Sequence, residues 1–201
     1  MQAHSQRHML WYLGTVALTV LSHVSAYAIE VNPTPKQIQI ALDEGTEAAE
    51  KQRSPESFYV WFGVSDHVQP RGFLVTKLGG LSVMATHMGL RGVEPSQGDV
   101  AHIVNSKTML VSTVIFGNKQ NFAVDSYIVL EQGGKIIKPV TVRFDAKAEH
   151  SAMWPASPKF KAKVVASFNY ADFDPMAETT ISVYLATGGE ASFPLKFLDI
   201  R

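Results

Sequence analysis

Residues 160–170 read FKAKVVASFNY, and their character alternates residue by residue. Phe160, Ala162, Val164, Ala166, Phe168 and Tyr170 fall on one side of an extended chain; Lys161, Lys163, Val165, Ser167 and Asn169 fall on the other. Successive side chains of a strand leave the backbone on opposite sides, so a period of two marks a β-strand with one buried face. Thr108–Phe116, TMLVSTVIF, is apolar nearly throughout, as a central strand is. Tyr127–Leu130 and Ile136–Phe144 flank Gly133-Gly134, which is a hairpin signal. Ile181, Val183 and Leu185 alternate with polar neighbours, then Thr187-Gly188-Gly189-Glu190 turns the chain toward Phe193, Leu195 and Phe197. No helical period intervenes after residue 108. The body of the chain is therefore expected to be mainly β, an antiparallel, immunoglobulin-like β-sandwich.

An amphipathic helix is expected ahead of it. Thr34-Pro35-Lys36-Gln37 has the form of a capping box with proline at the first helical position. Ile38, Ala41, Leu42, Gly45, Ala48 and Ala49 then recur at helical spacing, predicting a helix over about 35–52. Its apolar stripe is made of small residues and suits close packing on a sheet or a partner. Ser57–Gly63, SFYVWFG, reads as a strand aromatic on both faces, with this helix as its cover. Gly72–Leu78 reads as another strand, and Leu81–Leu90 as its return across Gly79-Gly80, with a short helix as the alternative. Pro95–Asn105 reads as a short helix or turn with Val100, Ile103 and Val104 on one side.

The first 28 residues have a different texture. Arg7 precedes an apolar run, Met9–Leu21, and the segment ends in Ala26-Tyr27-Ala28. Charged region, short apolar region and A-x-A site in that order describe a cleavable signal peptide. The thirteen residues of the run fall short of the roughly 20 that span a bilayer. Cleavage is expected after Ala28, alternatively after Ala26, delivering a periplasmic or secreted protein with no stable membrane span. The expected organisation is signal peptide 1–28, lead-in and helix 29–56, and sandwich 57–201.

Composition removes several functions. The chain has no cysteine, which excludes thiol catalysis, disulfide exchange and cysteine zinc sites. Arg7 is the only charged side chain of the leader, so the remainder carries 17 Lys+Arg against 18 Asp+Glu. That balance gives no general attraction to nucleic acid. Charged residues make up 18% of the chain, against about 25% in typical globular proteins. A surface this apolar is of the kind that a permanent partner covers.

The chemistry-bearing residues are dispersed. Beyond the leader, His67, His87, His102 and His150 form no H-x-H or H-x-x-x-H pair that would place two ligands on one face. Asp172, Asp174 and Glu178 supply oxygen ligands of the kind that hold Ca²⁺, but the glycine and further ligands of an EF-hand loop are missing. A turn with proline at 175 accounts for the same residues, and no cofactor is expected. Ser65-Asp66-His67 holds triad residue types, yet consecutive side chains cannot converge as a triad must. Lys159, Lys161 and Lys163, with Arg143 and Lys147 upstream, make a short basic stripe that reads as a solvated outer strand face. The residues expected to touch a ligand or partner are Trp154, Met153 and Tyr170, an aromatic-rich set beginning in a proline-flanked loop. The expected function is that of an exported, non-catalytic sandwich that binds another protein of the envelope in an accessory or assembly role. A small-ligand or carbohydrate-binding sandwich, using Trp154 and Tyr170 for stacking, is the first alternative. An enzyme with a composite, metal-dependent site is the second.

Overall fold

A computed structural model describes residues 28–64, 66 and 68–200. Residues 1–27, together with Ser65, His67 and Arg201, lie outside the described residues, and so does the signal-peptide reading. The described chain is mainly β, with two antiparallel sheets and three α-helices. The strands are β1 (Val60–Gly63), β2 (Arg71–Val75), β3 (Thr108–Gly117), β4 (Tyr127–Gln132) and β5 (Lys135–Ile137). They continue as β6 (Thr141–Phe144), β7 (Glu149–His150), β8 (Phe160–Asn169), β9 (Glu178–Tyr184) and β10 (Glu190–Lys196). The larger sheet has the order β1-β2-β3-β8-β6, with β7 also pairing with β8; the smaller has the order β10-β9-β4-β5.

The inward residues of both sheets form one apolar cluster. Leu74, Met109, Val111, Ile115, Val164 and Phe168 from the larger sheet meet Ile128, Leu130, Ile181, Val183 and Phe193 from the smaller. The alternation expected for residues 160–169 is present, with even-numbered residues buried along β8. At full burial each such side chain contributes about 1.5–3 kcal/mol of transfer free energy, so this shared core is what holds the sheets together. Gly133 and Gly134 form the β4–β5 turn with φ of +54° and +82°, the left-handed pair that a tight hairpin needs. The single strand expected over 136–144 is instead two strands. Pro139 has no N–H for a ladder, the chain leaves the smaller sheet there, and β6 joins the larger sheet against β8.

The helices are α1 (Pro35–Glu50), α2 (Lys77–Gly89) and α3 (Gln97–Val104). Thr34 closes a reciprocal capping box with Gln37 at the start of α1. The structure corrects the strand reading of Leu81–Leu90: these residues belong mainly to α2, and Gly79-Gly80 lies in its first turn, not in a hairpin. The Thr76 side chain accepts a hydrogen bond from the Gly79 N–H and starts the helix. The reason for helix is the partner. Ala41, Gly45 and Ala49 of α1 face Ser82, Ala85 and Gly89 of α2, and a Cβ built on Gly45 would overlap the Ser82 carbonyl oxygen and lie 2.6 Å from the Ala85 Cβ. At this distance Ser82 Oγ donates to the Ala41 carbonyl (2.8 Å) and Thr86 Oγ1 to the Gly45 carbonyl (3.0 Å). The small-residue stripe of α1 thus packs on another helix.

Val100, Ile103 and Val104 of α3 pack against the apolar group that Ala41, Leu78 and Leu81 form. These helices gather at the end of the larger sheet where β2 and β8 finish. Lys77 marks the junction: its buried ammonium donates to the Val104 carbonyl (2.6 Å) and lies 5.2 Å from the centre of the Tyr170 ring. A cation at the last carbonyls of a helix meets the negative end of its dipole.

Candidate interaction surface

The site candidates read from the sequence are not brought together. Trp154 is 46% exposed and stacks on His150 at 3.9 Å, with Phe160 beneath at 5.4 Å. Met153 is exposed beside it, in a loop knotted by hydrogen bonds from Trp154 N to Ser151 O and from Met153 N to Ser151 Oγ. Tyr170 is only 6% exposed and packs on Phe173. Burial pushes its hydroxyl far above the ordinary phenol range. Phe160 and Tyr170 stand at opposite ends of β8, roughly 30 Å apart at the rise of a strand. Tyr170 is therefore a core residue and shares no surface with Trp154.

The carboxylates at 172–178 are likewise separate. Asp174 Oδ1 accepts from Met176 N (2.8 Å), closing a turn, and the Glu178 carboxylate lies 3.6 Å from Lys196 Nζ. The turn is pinned from below by Gln132, whose amide accepts from Asp174 N and donates to Asp174 O, both at 2.9 Å, and donates to Thr179 Oγ1 at 2.7 Å. Among the described residues no three His, Asp or Glu side chains gather in a group that could hold a metal ion.

What the fold does assemble is the outer face of the larger sheet. Register places Trp61 beside Phe73, Phe73 beside Ser112, Ser112 beside Val165, and Val165 beside Arg143. Flanking rows add Val75 and Leu110 on one side, and Arg71, Val114 and Lys163 on the other. An antiparallel sheet with a solvated outer face normally turns polar side chains outward; here most of the central positions are apolar. Trp61 is 51% exposed. Its indole N–H donates to the Glu56 carbonyl (3.1 Å), which satisfies its one polar atom and leaves a carbon surface facing outward. Tyr59 stacks on Phe73 at 4.2 Å, and Trp61 lies 5.2 Å from Phe73. The three rings form a ridge along the β1–β2 edge. The α1 helix does not cover them, contrary to the expectation for the 57–63 strand, because its small-residue face is occupied by α2.

Beside the ridge the same face is basic. Arg71, Lys161 and Lys163 line a hollow of about 330 Å³ with Val114 and Phe116 at its base. Two carboxylates share the lining: Glu149 pairs with Lys161 (3.4 Å), and Asp145 accepts from the Lys163 backbone N–H (2.7 Å). Lys161, Lys163 and Arg143, read from sequence as a solvated stripe, thus border an aromatic surface. Sequence reasoning missed Trp61 and Phe73. The available signal was that outward positions of consecutive strands, Trp61, Phe73 and Leu110, are all apolar.

The outer face of the smaller sheet has the opposite charge. Glu131, Glu178 and Glu190 lie on it, against Lys196. Tyr127 and Tyr184 stack there at 5.2 Å. Partial desolvation, then the charges of Glu131 and Glu190, hold the Tyr184 hydroxyl above its ordinary range. A hollow of about 750 Å³ opens among Glu131, Ile136, Glu178, Pro194 and Lys196.

No helix among the described residues is long and apolar enough to cross a membrane. The chain matches no family model, and searches of curated proteins and of solved structures return no significant match.

Proposed function

We propose that this chain is an exported, non-catalytic sandwich of immunoglobulin-like topology that acts by binding another protein in the cell envelope through the outer face of the larger sheet. One observation carries the reading: four neighbouring strands turn Trp61, Phe73, Leu110, Val114 and Val165 outward, with a basic margin at Arg71, Arg143 and Lys163. An aromatic centre with charged residues at its edge is the composition of a protein-binding patch. Strand order supports the topology. With β2, β3, β4, β6, β8, β9 and β10 taken as strands A to G, the larger sheet contains A-B-E-D and the smaller G-F-C, the pairing of immunoglobulin-like domains. Periplasmic or secreted localisation rests on the leader, where Arg7, Met9–Leu21 and Ala26-Tyr27-Ala28 follow the order of a signal peptide.

The test is site-specific photocrosslinking in the source cells from position 61, with position 43, exposed on α1 and away from both sheets, as control. A single dominant protein adduct from position 61, identified by mass spectrometry, is the expected result. Equal or absent labelling from both positions overturns the reading. The exposed ring of Trp61 also supports a carbohydrate-binding reading, since a flat aromatic surface can stack on a sugar. Quenching of tryptophan fluorescence by a glycan, lost in Trp61→Ala and kept in Trp154→Ala, would establish it in place of protein binding.

A further inference from the structure

The two outer faces of this sandwich complement each other. The larger sheet presents Arg71, Arg143, Lys161 and Lys163 against Glu149 and Asp145. The smaller presents Glu131, Glu178 and Glu190 against Lys196. The chain as a whole is neutral, so this is a segregation of charge and not an excess of one sign. The larger face carries the Tyr59, Trp61 and Phe73 ring cluster, and the smaller a hollow beside Ile136, which is 62% exposed, with Glu131 and Glu178 in its lining.

We infer that the partner of the larger sheet's outer face is a second copy of this chain, docked through the outer face of its smaller sheet. The inference rests on the protein-binding reading above and names the protein bound. The two patches differ, so the contact is heterologous: the pair retains one free donor face and one free acceptor face, and association is open-ended. The ridge enters the hollow, while Arg71, Arg143 and Lys163 face the carboxylates. A face about four strands wide and six residues long covers roughly 19 by 20 Å, so the pair buries on the order of 800 Å². That is at the weak end of specific interfaces, and such a contact forms at high local concentration and is sensitive to salt.

Sedimentation velocity on the purified protein tests this. The expected result is a weight-average mass that rises with concentration into the high-micromolar range at low salt and falls at high salt. Two exposed double variants separate the faces: Arg143→Glu with Lys163→Glu, and Glu131→Lys with Glu178→Lys. Each alone is expected to lose association by more than tenfold. An equimolar mixture is expected to regain association, because the intact faces of the two variants complement each other and so do their reversed faces. Circular dichroism matching the parent shows that each variant is folded. A parent that stays monomeric at the highest concentration overturns the self-docking while leaving the position-61 crosslink to a different protein intact. Association that neither variant weakens, or mixtures that stay monomeric, also overturns it. Failure of the crosslinking test instead removes the protein-binding reading itself.

Discussion

Replacing Gly45 by alanine should destabilise this protein, against the usual trend for a helix interior. In an unencumbered helix the change gains about 0.5–1 kcal/mol, because glycine gives up more backbone freedom on folding. At Gly45 the added carbon has nowhere to go. It would overlap the Ser82 carbonyl oxygen and lie 2.6 Å from the Ala85 Cβ, both on a helix interior that cannot rotate away. Relief requires α1 and α2 to separate by roughly 1 Å, and such overpacking costs about 1–3 kcal/mol. The separation also lengthens the Ser82–Ala41 and Thr86–Gly45 hydrogen bonds. Their loss is softened because Ser82 Oγ and Thr86 Oγ1 also reach carbonyls of their own helix, at 3.3 and 2.7 Å. The net expectation is a loss of about 1–2 kcal/mol, or a fall in Tm of about 2–8 °C for a chain of this size. Thermal and urea unfolding followed by far-ultraviolet circular dichroism measure it. Gly98→Ala is the control, because its added carbon meets only the Ser96 hydroxyl at 3.6 Å; that variant should be neutral or slightly more stable. A Gly45→Ala protein as stable as the parent would refute the tight α1–α2 crossing and the account of why residues 81–89 are helical.

Gln132→Ala removes three hydrogen bonds from a buried amide and strands the Asp174 backbone N–H and carbonyl; a loss of about 2–4 kcal/mol is expected by urea titration. Tyr170 ionises less readily folded than unfolded, so its contribution is fully present below the ordinary phenol pKa of about 10 and is lost as pH rises above it. The difference in stability between parent and Tyr170→Phe should therefore be flat up to that pH and then shift against the parent, and a flat difference throughout would show the hydroxyl to be solvated. Trp61→Ala should change stability by less than about 1 kcal/mol, since the ring is half exposed, while weakening partner binding at least tenfold in the crosslinking and sedimentation assays. A large fall in Tm for this variant would mean that the ridge is a structural element.

Much of the two-sheet body was legible in the sequence, because its signals are local. Phe160 to Asn169 alternate in a way that only a half-buried strand accommodates, and the glycines at 133–134 and 188–189 supply the positive φ that their turns require. Even the burial of Tyr170 was implied by its place in that alternation, although its aromatic ring suggested a contact role. Residues 81–89 were ambiguous because Leu81, Val83 and Ala85 satisfy a two-residue period while Ser82, Ala85 and Gly89 satisfy a helical one. The decision came from α1, some forty residues away in the chain, whose small face leaves room only for another small helical face. The interaction surface depended on distance in the same way. Trp61, Phe73, Val165 and Arg143 are scattered over more than a hundred residues, and strand register makes them one row. Sequence alone determined which stretches are extended, where they turn and which side of each is apolar, since those depend on neighbours along the chain. Tertiary structure decided which apolar sides are covered and which charges share a face, because burial depends on the elements that pack above a residue and not on its own preferences.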